Sequence, residues 1–129
     1  MSDAVLKEAQ ARSGAHFDEN GVPLDYGDWR QEYNAACRSA GLLAMPHLGC
    51  LAVYGKDAIS FLHNLLSNDL RPLSTGAPCV HTCALDSTGH ILADLAVTAI
   101  SDHLLLEIQR TELSKILDYL NSFLIAEDV

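Results

Sequence analysis

The stretch that decides the fold runs from Leu85 to Val97 and reads LDSTGHILADLAV. Its early Asp, Ser, Thr and Gly residues are typical of a tight turn, and an apolar run follows them. Alternate residues of a strand share a face, so one face of the second strand carries Leu92, Asp94, Ala96, Thr98 and Ile100. A carboxylate among such neighbours is expected to be paired, hydrogen-bonded or partly neutral. The stretch therefore predicts a hairpin with one notable acid.

Outward from this hairpin, periodicity and turn residues predict further elements on both sides. Asp28, Asp57 and Thr111 are predicted helix caps, with helices over 28–41, 57–66 and 111–124 and a short helix over 1–10. Residues 15–24 are expected to form a loop. The predicted strands are 42–45, 49–54, 79–85, 90–100 and 104–108, with the opening of another over 125–129. This order predicts an α+β fold, an antiparallel meander with helices packed on the sheet.

Composition restricts the classes of function. The 129 residues carry 17 acids against 8 lysines and arginines, a formal net charge of −9, and no basic run. Such a surface repels phosphate backbones and anionic membranes, so neither nucleic acid nor a membrane is an expected partner. No apolar run approaches the roughly 20 residues of a membrane-spanning helix, and no targeting segment is recognisable. A cytoplasmic location is expected.

The four cysteines predict reduced thiols, mostly buried, because they are too scattered for a secreted disulfide framework. Cys79, His81 and Cys83 alternate along one predicted strand and form the only metal-like grouping. Alternate side chains lie roughly 6.5–7 Å apart, so two could chelate zinc but three could not easily do so. We expect no metal site, since two core thiols flanking a singly bonded histidine account for the pattern. Nucleophile motifs and phosphate-binding loops are absent.

Several segments, taken in order and spacing, resemble the N-terminal part of the folate-binding superfamily that includes the glycine-cleavage T-protein, an aminomethyltransferase. The resemblance runs from Pro23 to about Gln109. The matching segments are 23–27 (PLDYG), Glu32, 41–42 (GL), His47, 55–58 (GKDA), 61–62 (FL), 68–70 (NDL), Gly76 and 94–97 (DLAV). The fold that it implies is the first half of a folate-binding domain of this type.

The resemblance also implies site residues for tetrahydrofolate. The second strand of the hairpin would line the pocket through Ala93, Leu95 and Val97, and Gln109 would take the place of a pterin-contacting asparagine. The position of the catalytic acid is identified as Ala93, so no catalytic residue is assigned. Asp94 is the second acid of the family's pair, and it cannot simply replace the first because strand neighbours point to opposite faces.

Loss of that acid favours the YgfZ-type branch, whose members use folate in maintaining iron-sulfur clusters. One alternative is an aminomethyltransferase, which transfers a one-carbon unit to tetrahydrofolate; another is a non-catalytic α+β domain. The partners implied are folate together with iron-sulfur proteins or a lipoyl carrier protein. Residues 1–22 are expected to be an N-terminal extension and 23–129 the N-terminal part of the domain. The abrupt end predicts a continuing chain, in which a diagnostic Lys-Gly-Cys segment of the YgfZ branch would lie beyond Val129.

Overall fold

The described part of the chain, residues 3–129, divides between Pro46 and His47 into two units. It is a computed structural model. The first unit contains helix α1 (Asp3–Arg12), a ribbon of the two-residue strand β1 (His16–Phe17) with β2 (Pro23–Asp25), and helix α2 (Trp29–Arg38). Residues 1 and 2 of the predicted first helix lie outside the described part. The loop predicted over 15–24 thus contains one short pairing.

Helix α2 begins where its cap was predicted. The Asp28 carboxylate accepts hydrogen bonds from the backbone N–H groups of Arg30 and Gln31, at 3.0 and 3.2 Å. The predicted apolar stripe on this helix is exposed, however, because none of the residues of α2 is buried. No strand forms over residues 42–45, which precede the turn-forming Pro46.

The second unit is a four-stranded antiparallel sheet in the order β3-β6-β5-β4. Its elements are β3 (Leu48–Val53), α3 (Ala58–Leu65), β4 (Val80–Leu85), β5 (Ile91–Ile100), β6 (His103–Gln109), a 3-10 turn (Arg110–Glu112) and α4 (Leu113–Phe123). The predicted α+β meander is confirmed in β4, β5 and β6. The edge pairing of β3 with β6 joins residues about 60 positions apart, too far for local turn chemistry to reveal.

One face of this sheet packs against α3 and α4. The buried positions are Val53 on β3, Ala93, Leu95, Val97 and Ala99 on β5, Leu104, Leu106 and Ile108 on β6, and Phe61, Leu62, Ile116 and Leu120 on the helices. The Tyr119 hydroxyl donates to the Leu65 carbonyl at 3.2 Å, joining the two helices, and burial raises the pKa of that phenol. On the opposite face of β3, Cys50 and Ala52 are exposed.

The hairpin turn is held by one carboxylate. Asp86 Oδ1 accepts hydrogen bonds from the Thr88 hydroxyl at 2.6 Å and from the backbone N–H groups of Thr88 and His90. These donors, the hydroxyl foremost, hold the pKa of Asp86 below its ordinary value. The turn residues of the quoted stretch therefore act as the sequence predicted, delivering the chain into β5.

Two predicted helix caps do not act as caps. Asp57 precedes α3, yet its side chain makes no cap hydrogen bond and instead accepts from the backbone N–H of Asp128 at 3.0 Å. Thr111 lies within the 3-10 turn, and α4 begins after Glu112. Residues 125–129 form no strand, but Asp128 also accepts from the Asp57 N–H at 3.2 Å. The C-terminal segment is thus tied to the turn between β3 and α3.

The contact between the C-terminal segment and the turn after β3 requires glycine at position 55. Replacing Gly55 tests this contact. Gly55 has φ +102°, and a Cβ there would overlap the carbonyl oxygen of Asp128. Gly55→Ala is expected to lower the free energy of unfolding by about 2–3 kcal/mol, from left-handed strain plus the clash. Gly89→Ala is the matched control, since φ is +87° but nothing lies within 4 Å. Equal losses in urea denaturation of the two variants would contradict the contact with Asp128.

No helix in residues 3–129 has the length and apolar character that crossing a membrane requires.

Candidate functional site: the uncovered face of the sheet

The face of the sheet opposite α3 and α4 carries most of the polar side chains of the four strands. The strand register brings Cys50, Glu107, Ala96 and His81 into one row across the four strands. Leu48 with Gln109 and Asp94 with Cys83 pair in the next row. Directly opposed residues have Cβ atoms about 5 Å apart, so each row is continuous.

A concavity of about 160 Å³ lies on this face. It is lined by Leu48, His81, Ala93, Asp94, Leu95, Ala96, Glu107, Ile108, Gln109 and Glu112. Strands β4, β5 and β6 supply the floor, and the 3-10 turn supplies Glu112 at one end. The lining belongs entirely to the second unit, so its geometry follows from the sheet register alone.

The structure divides the residues predicted for the site between the two faces. Asp94 and Gln109 are exposed on the uncovered face and line the concavity. Ala93, Leu95 and Val97 do share one face, but their side chains are 7%, 3% and 0% exposed within the core. The side chains of Ala93, Leu95 and Val97 thus lie on the opposite face from the Gln109 side chain, although Ala93 and Leu95 also border the concavity. Their part in ligand binding stays a prediction.

Asp94 also differs from its expected environment. The pattern of neighbours predicted a carboxylate enclosed by apolar side chains, whereas Asp94 is exposed. The reason is that α3 and α4 pack on the other face of the sheet: beside Asp94, Ala96 and Thr98 are only half-buried and Ile100 is 39% exposed. Asp94 is therefore the acid of β5 that a bound molecule could touch.

The concavity is rich in hydrogen-bond acceptors. Asp94, Glu107 and Glu112 contribute carboxylates, Gln109 an amide with both donor and acceptor, and His81 an imidazole. Lys115 lies behind Glu112, with its ammonium 3.3 Å from a Glu112 carboxylate oxygen. The arrangement suits a ligand that presents several N–H donors, and Asp94 can accept or return a proton at the floor.

The cysteines are not in the core as predicted. Cys37, Cys50 and Cys79 are exposed and Cys83 is half-buried, because Cys50 and Cys83 lie on the uncovered face and Cys37 on exposed α2. Cys79 Sγ and His81 Nε2 are 3.9 Å apart at the edge of the sheet. Within residues 3–129, no three or more His, Cys, Asp or Glu side chains are placed to hold a metal ion.

Sequence reasoning missed Glu107, Glu112 and the contribution of His81 to the concavity. Glu107 could have been found, because it precedes Gln109 by two residues and so shares its face of β6. Glu112 could not, since its predicted place was inside a helix capped by Thr111. His81 was considered only as a metal ligand, and its alignment with Ala96 and Glu107 depends on the strand register.

Comparison with known proteins agrees with this fold. The model of the GCVT N-terminal domain matches residues 4–128. The chain belongs to the GCVT N-terminal domain family. Curated relatives of this GCVT N-terminal domain include aminomethyltransferases of Bordetella petrii, 34% identical over 95 residues, and of Methylococcus capsulatus, 37% identical over 101 residues. These alignments cover 71% and 76% of this chain and 26% and 28% of the relatives.

The aminomethyltransferase of Lysinibacillus sphaericus is 32% identical over 119 residues, which cover 89% of this chain and 32% of the relative. Among solved structures, the glycine cleavage system aminomethyltransferase T from Bartonella henselae matches with a TM-score of 0.67 at 22% identity. That match covers 95% of this GCVT N-terminal domain and 35% of the other chain, and it supports the fold. The domain thus spans between a quarter and about a third of its curated relatives.

The relatives favour the aminomethyltransferase branch over the YgfZ-type branch that the sequence analysis preferred. They carry the name aminomethyltransferase, which was the alternative, and none of those named above is of the YgfZ type. The premise for the YgfZ branch was alanine at the position identified with the catalytic acid. In the structure both residues border the concavity, but the Ala93 side chain is buried in the core and the Asp94 side chain is exposed. This GCVT N-terminal domain therefore keeps an acid on the accessible face.

Proposed function

We propose that this domain forms part of the tetrahydrofolate site of an aminomethyltransferase, with Asp94 as the acid at the floor and Gln109 beside it. The single observation that carries the proposal is the exposure of Asp94 in the concavity, in a chain related to aminomethyltransferases. Tetrahydrofolate is the substrate here. Its pterin edge offers several N–H donors, which complement the Gln109 amide and the carboxylates of Glu107 and Glu112.

Asp94 has a defined task in such a transfer. When a folate nitrogen attacks the transferred carbon, the bond between that carbon and its leaving group breaks, and the leaving group departs with the bonding electron pair and takes up a proton. The folate nitrogen gives up its own proton to a carboxylate within hydrogen-bond reach. Asp94 is exposed and lines the concavity, so its carboxylate is open to a bound folate. Ala93 takes no part through its side chain, because that side chain packs in the core.

The small volume of the concavity supports a folate site to which other parts of the protein also contribute. Pockets for ligands of drug size commonly enclose about 300–1,000 Å³, whereas the face described here offers about 160 Å³. A folate would therefore touch this face with one side only, and other parts of the protein would cover the rest. The small fraction of the curated relatives that this chain spans agrees with that division.

Calorimetric titration of the full-length protein with 5-formyltetrahydrofolate, joined to an aminomethyl-transfer assay, tests the proposal. Saturable binding and transfer are expected. Binding without transfer would favour the YgfZ-type alternative, in which folate serves the maintenance of iron-sulfur clusters. No binding would leave a non-catalytic domain. Iron-sulfur or lipoyl carrier partners, a cytoplasmic location and the boundary between residues 22 and 23 stay predictions.

The amide of Gln109 gives a second test. Gln109→Leu keeps the size of the side chain but removes a donor and an acceptor, and it is expected to weaken 5-formyltetrahydrofolate binding about tenfold. The matched control is Asn64→Leu, which replaces an exposed amide on α3 outside the concavity. An affinity unchanged by Gln109→Leu in calorimetry would exclude the pterin contact assigned to this amide.

A further inference from the structure

The pairing of β4 with β5 contains a shift of one residue. Ala84 pairs with Ala93, but Leu85 pairs with Ile91, so Leu92 has no partner in β4. The irregularity is a β-bulge on β5, two residues before Asp94. Bulges change the direction of the side chains that follow them and are common beside functional sites.

The bulge decides which face Asp94 occupies. If the pairing of Leu85 with Ile91 continued without it, Asp94 would lie opposite Thr82, which is 4% exposed in the core. In the observed register Asp94 lies opposite Cys83, on the uncovered face. A slip of one residue moves every side chain of a strand to the other face. The extra residue at Leu92 is therefore what directs Asp94 into the concavity.

A lysine from α4 contacts the bulge. The Lys115 ammonium donates to the carbonyl oxygen of Leu92 at 3.0 Å and lies 3.3 Å from Glu112 Oε2. It thereby joins the unpaired residue of β5 to a carboxylate that lines the concavity. A charged donor on a backbone carbonyl within the bulge is a strong local restraint. Both contacts lie within the second unit.

We propose that Lys115 is a positioning residue: through the Leu92 carbonyl and Glu112 it holds the β-bulge that keeps Asp94 facing the concavity. Lys115 does not line the concavity itself and acts through these two groups. Its relevance to catalysis rests on the proposed transfer function, whereas its effect on the bulge is a property of the fold. Backbone hydrogen exchange measures the effect of Lys115 on the bulge separately from its effect on catalysis.

The test compares Lys115→Met and Lys115→Arg in the full-length protein with Lys56→Met as the matched control. Lys56 is an exposed lysine with its own ion pair, to Asp128 at 3.3 Å, outside the concavity. Backbone hydrogen exchange is measured at residues 92–94 without substrate, and kcat and KM are measured for aminomethyl transfer. Lys115→Met is expected to speed exchange about tenfold at these amides and to lower kcat about tenfold with little change in KM.

Lys115→Arg, which keeps a cationic donor, is expected to restore most of both properties, and Lys56→Met to change neither. Exchange that is unchanged in Lys115→Met would overturn the inference whatever the activity. Faster exchange with an unaltered kcat would overturn the positioning role. If the wild-type protein transfers nothing and binds no folate, the proposed function fails, and exchange at residues 92–94 alone decides whether Lys115 holds the bulge.

Discussion

Asp94→Asn in the full-length protein is expected to lower the rate of aminomethyl transfer by about 10²–10⁴-fold, the usual contribution of a positioned proton acceptor. The amide preserves the size and exposure of the side chain, so the fold and much of the folate affinity should remain. The measurement is kcat at saturating tetrahydrofolate, together with calorimetric affinity for 5-formyltetrahydrofolate. The effect should therefore appear in kcat more than in KM.

The control for this variant is Asp118→Asn, which removes an exposed carboxylate of α4 that does not line the concavity. It lowers the net negative charge by the same amount, so any general effect of charge on substrate attraction is matched. If the Asp94→Asn and Asp118→Asn variants had equal rates of aminomethyl transfer, the assignment of Asp94 as the proton acceptor would be refuted.

Ala93→Asp is expected to destabilise the chain by about 2–4 kcal/mol, although it introduces an acid at the position first identified with catalysis. Ala93 is 7% exposed and packs in the core, where a carboxylate finds neither water nor a charged partner. The free energy of unfolding of the 129-residue chain, from urea denaturation at neutral pH, measures the loss. The loss should diminish as the pH falls toward about 4 and be smallest below it, where the carboxyl is protonated in both states.

Ala52→Asp provides the comparison, because Ala52 is also a strand alanine but is exposed on the uncovered face. Its cost should stay below about 1 kcal/mol, the range of strand propensities. If Ala93→Asp were as stable as Ala52→Asp, or if it gained transfer activity, the acid would belong at position 93 and the orientation of β5 described above would be wrong.

Local features of the fold were predictable because their causes lie within a few residues. The Asp86 turn, the hairpin of β4 and β5 and the cap of α2 at Asp28 all depend on side chains that bond to nearby backbone groups. Turn and cap chemistry of this kind is visible in a sequence. The resemblance in spacing likewise led to the family that the comparisons bear out.

Features that depend on distant contacts were not predictable. The pairing of β3 with β6 and the contact of Asp57 with Asp128 join residues far apart in the chain. The bulge at Leu92 also escaped, since Ile91, Leu92 and Ala93 form a continuous apolar run that does not reveal an extra residue. The sequence grouped Ala93, Leu95 and Val97 on one face of β5, but it could not show that their side chains are buried in the core.

The sequence by itself determined an antiparallel meander, an acidic surface and a superfamily, because apolar periodicity, turn residues and charge are properties of the chain. Only the tertiary structure decided which side of β5 meets α3 and α4 and which remains open. That choice required both the register across the β4–β5 bulge and the placement of two helices on one face. Since strand neighbours point to opposite faces, the same choice makes Asp94, rather than Ala93, the accessible residue.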